Sequence, residues 1–195
     1  IEGLPELVRN AHAVGIKVVV KPHLEMRGYQ PTPEEIRIFK NGDDAADGTE
    51  SPDFAAGQQV PKDDARLKTE YISYPSLDGT SSIRGYLARP ASAGASRLPT
   101  IVVIHENRGL SPHIEDITRR LALDGFMAFA PDALTVAGGY PGDEDKARDA
   151  FGKLDGAKML EDFVAAAQWL KARNDGTGKL GVVGFCYGGG VAHQL

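Results

Sequence analysis

The chain has 195 residues, enough for one well-buried core or one domain with an appendage. Hydrophobic residues make up 42% and charged residues 25%, and 22 Lys+Arg against 27 Asp+Glu leave a net charge of −5 with no basic stripe, which argues against nucleic acid or an anionic membrane as the main partner. The single cysteine allows no internal disulfide, "IEGLPELVRN" lacks the basic start and apolar stretch of a leader, and no apolar run nears the roughly 18 residues of a membrane span, so the cytoplasm is the favoured compartment.

The first 24 residues read as a helix and then a strand. Leu4, Leu7, Val8 and Ala11 fall at helical spacing, Gly15 can end the helix, and "IKVVV" follows as a buried strand. "KPHLE" places His23 and Glu25 at the strand's exit, where a solvated turn is the simpler reading because nothing else converges on them. Thr32, Pro33 and Glu35 have the order of a helix start: a cap, a proline at the first position and the closing carboxylate of a capping box. Residues 41–66, rich in acid, glycine and proline, read as an extended linker or wrapping arm. Within it, "DDAADG" sets Asp43, Asp47 and Gly48 at calcium-loop positions. Ala45 and Phe54 stand where further ligands are needed, so a solvated acidic loop is expected instead.

From residue 67 the pattern becomes regular. "KTEYISYPS" and "SIRGYLARP" are two strands joined by a turn at Asp78-Gly79. "PTIVVIHE" is a continuous apolar strand, of the kind buried on both faces. A helix follows, capped by Ser111 and opened by Pro112, with Glu115 and Asp116 in its first turn and Arg119 and Arg120 late, an order that suits the helix dipole. Gly125 ends it and "FMAFAPD" is the next buried strand. The polar loop "ALTVAGGYPGDED" leads into a helical stretch with Leu160, Phe163, Val164, Ala167 and Leu170 on one face. "NDGTG" then turns the chain into the strand "KLGVVGF". This alternation predicts an α/β fold, a mostly parallel sheet with helices on both faces. The chain divides into a helix–strand extension (1–30), a short helix with an acidic arm (31–66) and the α/β unit (67–195).

In such sheets ligands bind at the carboxyl ends of strands. Two strand ends are loaded with chemistry: His105-Glu106-Asn107-Arg108-Gly109, and Gly184-Phe185-Cys186-Tyr187-Gly188. The second has the form Gly-X-nucleophile-X-Gly, a nucleophile elbow with Cys in place of Ser. The glycines permit a sharp turn that projects the central side chain above the sheet. The helix that starts at Tyr187 points its free N–H groups at the sulphur, favouring the thiolate, and the Tyr187 N–H is placed to receive a developing oxyanion. A free cysteine is most often a small buried core residue; within this glycine frame, after a buried strand, the nucleophile reading is the stronger. Gly184, Gly188 and Gly190 also match the glycine spacing of a dinucleotide-binding short-chain dehydrogenase. That pattern belongs after the first strand of its sheet, and no Tyr here is followed four residues later by Lys.

At these two strand ends the sequence resembles the dienelactone hydrolase (carboxymethylenebutenolidase-like) family of α/β-hydrolases. The stretches that carry it are "VVIHENRGLSPHIEDITRRLALDGFMAFAPD" and "GKLGVVGFCYGGG", and the likeness runs from about residue 67 to 195. The first 30 residues look more like a helix–strand repeat of a barrel enzyme. The family resemblance implies an α/β-hydrolase fold, incomplete on its C-terminal side, and a hydrolase of carboxylic esters or lactones that needs no metal or organic cofactor. It implies Cys186 as nucleophile, Glu106 as the group that assists its activation, and the N–H groups of Asn107 and Tyr187 as the oxyanion hole. His105 and Arg108 are possible pocket residues, with His105 the better candidate for a buried support, and an ion pair with Arg108 or another basic residue is the structural alternative for Glu106. The sequence departs from the family in two places. "PDALTVAGGYPGDED" lacks the basic residue that holds the substrate carboxylate in dienelactone-cleaving members, which puts dienelactone itself in doubt. The family's triad also continues with an Asp and a His after the elbow, and here only His193 follows Cys186. It lies seven residues along the same helix, about 10 Å down the axis, too far to orient the sulphur. The expectation is therefore a fragment or half of an assembly, with little turnover in these residues alone. A non-catalytic binding protein on the same scaffold is the alternative. A small-molecule partner is expected, and the oligomeric state is open.

Overall fold

One seven-residue strand, buried on both faces over its last five residues, organises the sheet. In β4 (Leu98–Ile104), Ile101 and Val103 face one core with Ile114, Leu121 and Ala128, while Val102 and Ile104 face the other with Phe129, Phe163 and Leu170. Both faces are covered, as the unbroken apolar run requires. The computed structural model describes residues 59–195 together with the main chain of Val18–Lys21. The helices expected near residues 4–11 and after Thr32, the acidic stretch up to residue 58, and His23 and Glu25 lie outside the described residues.

The sheet has the order β1-β6-β4-β5-β3-β2. Its strands are β1 (Val18–Lys21), β2 (Leu67–Pro75), β3 (Ser82–Pro90), β4, β5 (Met127–Pro131) and β6 (Gly176–Phe185). β1, β6, β4 and β5 run parallel, and the β2–β3 hairpin joins antiparallel through β3 against β5. The hairpin turns at Gly79, whose φ of 68° puts it in the left-handed region. β6 is not an edge: Val18–Lys21 pair with Val182–Phe185 on its far side.

Helix α1 (Pro112–Leu123) packs on one face and α3 (Gly156–Lys171) on the other, with α2 (Glu144–Phe151) leading into α3 and α4 (Tyr187–Ala192) following the elbow. The helical stretch expected after the polar loop is two helices. Gly152 closes the first, and the Asp155 side chain accepts from the Ala157 and Lys158 N–H groups to start the second.

At the start of α1, Ser111 takes the cap position without a side-chain capping bond. Arg119, read from the sequence as a late-helix charge facing the dipole, is fully buried. Its Nε donates to the Val60 carbonyl at 2.8 Å and its Nη1 to the Tyr86 hydroxyl at 3.2 Å, while Asp116 accepts from the Val60 N–H at 2.8 Å. The last part of the arm, residues 59–66, is therefore fastened to the back of the sheet by both main-chain groups of one residue.

Candidate active site

The register of β4 and β6 assembles the site. Ile104 pairs with Gly184. Glu106 and Cys186 each lie two residues beyond that pair, so the two loaded strand ends emerge side by side.

Cys186 has φ 51° and ψ −111°, and among the described residues it is the one non-glycine with positive φ. L side chains adopt that conformation at a cost of about 1–3 kcal/mol, which persists only where the surroundings enforce it. Two glycines enforce it here. A Cβ on Gly184 would overlap the Gly188 carbonyl and lie 2.7 Å from the Gly189 nitrogen, and a Cβ on Gly188 would overlap the Ile104 carbonyl and lie 2.7 Å from that of His105. No side chain fits at either position, so the chain can turn from β6 into α4 within one residue. Gly190 is different: nothing lies within 4 Å of its Cβ position. Cys186 is exposed at the top of the turn. The Gly189 N–H donates to the Cys186 carbonyl at 3.0 Å, which leaves the Tyr187 and Gly188 N–H groups without an acceptor inside the helix. Tyr187 is half-buried, with its ring edge-on to Phe151 at 4.9 Å, and burial raises its phenol above the ordinary range.

The other strand end is held from below. His105 is fully buried between Phe151 and Phe163, at ring distances of 6.0 and 5.5 Å. Its Nδ1 lies 2.5 Å from the Glu106 carbonyl oxygen, and its Nε2 lies 3.1 Å from the Ala133 nitrogen. A carbonyl only accepts and an N–H only donates, so His105 is neutral and carries its proton on Nδ1. Burial also lowers its pKa, against the opposing pull of Glu106 and Asp132. Both ring nitrogens of His105 are engaged and the ring has no exposed surface.

Glu106, Asn107 and Arg108 are each half-buried in the turn above it. Arg108 Nη1 donates to the Asn107 side-chain oxygen at 3.1 Å, and its Nε lies 2.8 Å from a Glu144 carboxylate oxygen in the first turn of α2. Among the described residues the ion-pair partner of Arg108 is Glu144, from the far side of the loop. Two supporting residues were missed in the sequence. Asp132 is buried at the end of β5, and its Oδ1 accepts from Leu134 N–H at 3.0 Å and from Leu110 N–H at 3.2 Å. Its signal was a carboxylate ending a buried strand directly before a turn. Glu144 carried no signal beyond its place in a helix start.

A model of the dienelactone hydrolase family matches residues 83–195. "Putative hydrolase fragment YghX" of Escherichia coli is 47% identical over 104 residues, 53% of this chain and 88% of that protein. A "Putative carboxymethylenebutenolidase" of Salmonella typhimurium is 37% identical over 133 residues, 66% of this chain and 47% of that protein. Among solved structures, a "Putative Dienelactone Hydrolase" of Klebsiella pneumoniae superposes with a TM-score of 0.52 at 33% identity, covering 63% of this chain and 51% of that one. The chain spans about half the length of the carboxymethylenebutenolidases it matches.

Proposed function

The chain belongs to the dienelactone hydrolase family, and from that premise we propose that Cys186 is the nucleophile of a hydrolase that opens a carboxylic ester or lactone. The observation that carries this reading is the positive φ of Cys186, held between two glycines that tolerate no side chain. Strain kept at one residue, at the carboxyl end of a buried strand, is the mark of a group that must project.

The chemistry follows from the neighbours. Glu106 takes the thiol proton, and the sulphur adds to the ester carbonyl. The negative charge that forms on the carbonyl oxygen is received by the N–H groups of Asn107 and Tyr187. Collapse of the tetrahedral species expels the alcohol oxygen, which takes back the proton held by Glu106, and leaves an acyl group on Cys186 as a thioester. Water adds to the thioester through the same oxyanion site, releases the acid and restores the thiol. The Asp and His that the family resemblance places after the elbow are not among these 195 residues. On this reading acylation precedes a slow release, and the 195 residues alone turn over poorly. The substrate class is a carboxylic ester or lactone. Among the described residues, Arg108 is already neutralised by Glu144, and the loop "PDALTVAGGYPGDED" offers no free cation to a substrate carboxylate.

Hydrolysis of p-nitrophenyl acetate by wild type and by Cys186→Ala tests the reading. Release of nitrophenol that is lost in the variant supports it. Equal rates in both leave the scaffold as a binding module.

A further inference from the structure

Beyond Val102 and Phe129 the pairing of β4 with β5 ends, and the two chains are bridged by side chains. His105 reaches from β4 to the Ala133 N–H, and Asp132 reaches back from β5 to the Leu110 N–H. Residues 106–110, the turn beside the elbow, are thus clamped at both ends by buried groups. The bond from His105 Nδ1–H to the Glu106 carbonyl has a further consequence. In a trans peptide the C=O and the following N–H point in opposite directions. The carbonyl of Glu106 and the N–H of Asn107 belong to the same peptide plane. Drawing that carbonyl down toward the buried imidazole turns the Asn107 N–H up, away from the core.

We infer that His105 is a positioning residue that aims the Asn107 N–H at the oxyanion, with Asp132 fixing the far end of the same turn. This rests on the hydrolase reading for its effect on rate, and stands on its own as a statement about a hydrogen bond. The imidazole suits the task because it has a donor and an acceptor on one rigid ring. Nδ1–H sets the peptide plane, and Nε2, accepting from Ala133, stops the ring from rotating. Both bonds need the neutral ring, and a site with no exposed surface and two aromatic rings close by disfavours the cation.

Two variants separate aiming from mere support. Asn at 105 keeps a donor at the position of Nδ1 and loses the acceptor for Ala133. Gln at 105 reaches the Ala133 N–H and loses the donor for Glu106. The inference predicts that His105→Gln lowers the acylation rate with p-nitrophenyl acetate about tenfold to a hundredfold, a misaimed donor being worth somewhat less than a deleted one, with KM changed less than about twofold. His105→Asn keeps the rate near wild type even though it melts earlier. If the losses in rate follow melting temperature instead, or if His105→Gln is as fast as wild type, the inference is overturned. Nitrogen-15 spectra of the histidine-labelled wild type give an arm that needs no activity. A protonated Nδ1 and an unprotonated Nε2 at pH 7 are expected for His105, and the opposite tautomer or an imidazolium overturns the inference. Should wild type form no acyl-enzyme, the hydrolase reading falls, while the spectrum still decides the clamp.

Discussion

A Cβ placed on Gly188 would lie 2.7 Å from the carbonyl oxygen of His105. The first turn of α4 and the end of β4 are therefore in direct backbone contact, and the turn at Cys186 and the turn after His105 are packed as one unit. Gly188→Ala must push that unit apart. Overpacking of this kind typically costs about 1–3 kcal/mol, and backbone on both sides leaves no flexible side chain to yield. Melting temperature should fall clearly for Gly188→Ala and for Gly184→Ala. Gly190→Ala, with open space around its Cβ and a helical backbone, should instead be neutral or stabilising by up to about 1 kcal/mol.

Relief of strain at Cys186 should separate stability from function. Glycine accepts φ 51° freely, so Cys186→Gly gains part of the roughly 1–3 kcal/mol stored there, less what the more flexible unfolded chain takes back. A higher melting temperature with no acylation is the expected pair of results. A lower one would mean that the cysteine side chain contributes packing that its exposure does not suggest.

The buried charges behind α1 make a third case. Arg119, Asp116 and Glu115 are buried together, Glu115 meets Lys62 at 2.8 Å, and it also accepts from the Tyr71 hydroxyl. Arg119→Ala would leave two carboxylates buried and release the Val60 carbonyl, at a cost of about 3–5 kcal/mol. Urea denaturation should report that loss, and limited proteolysis should cut within residues 59–66 far faster than in wild type.

Stability should also depend on pH through His105. Burial holds its folded pKa below the ordinary 6.5, with Glu106 and Asp132 pulling the other way without prevailing. The unfolded chain therefore binds a proton at a higher pH than the folded one. The contribution is fully present above about pH 6.5 and is lost as pH falls from there toward the folded value. The melting temperature of wild type should fall more steeply below pH 6.5 than that of His105→Asn. Parallel curves would assign the acid lability to other groups.

The elbow was legible in the sequence because its requirement is local. Gly184, Cys186 and Gly188 declare the turn by residue type, and the apolar run before them declares the buried strand. The order of strands and helices from Leu67 onward was legible for the same reason. What was not legible depends on partners far along the chain. His105 could be read as a buried support, but its donor, the Ala133 N–H 28 residues later, could not be named from the sequence. Arg119 followed a helix-dipole pattern that any exposed helix shows, and only the docking of Val60 explains why it is buried. Arg108 could be paired on paper with the neighbour two residues away, whereas the fold brings Glu144 over from α2.

The central claim is that Cys186 becomes acylated. The direct test is the intact mass of the 195-residue chain after brief exposure to p-nitrophenyl acetate. The account predicts a gain of one acetyl group, located by peptide mapping to Cys186, formed faster than on an ordinary exposed thiol and absent in Cys186→Ala. An unchanged mass, or acetyl groups scattered over lysines at the same level in both proteins, would contradict it.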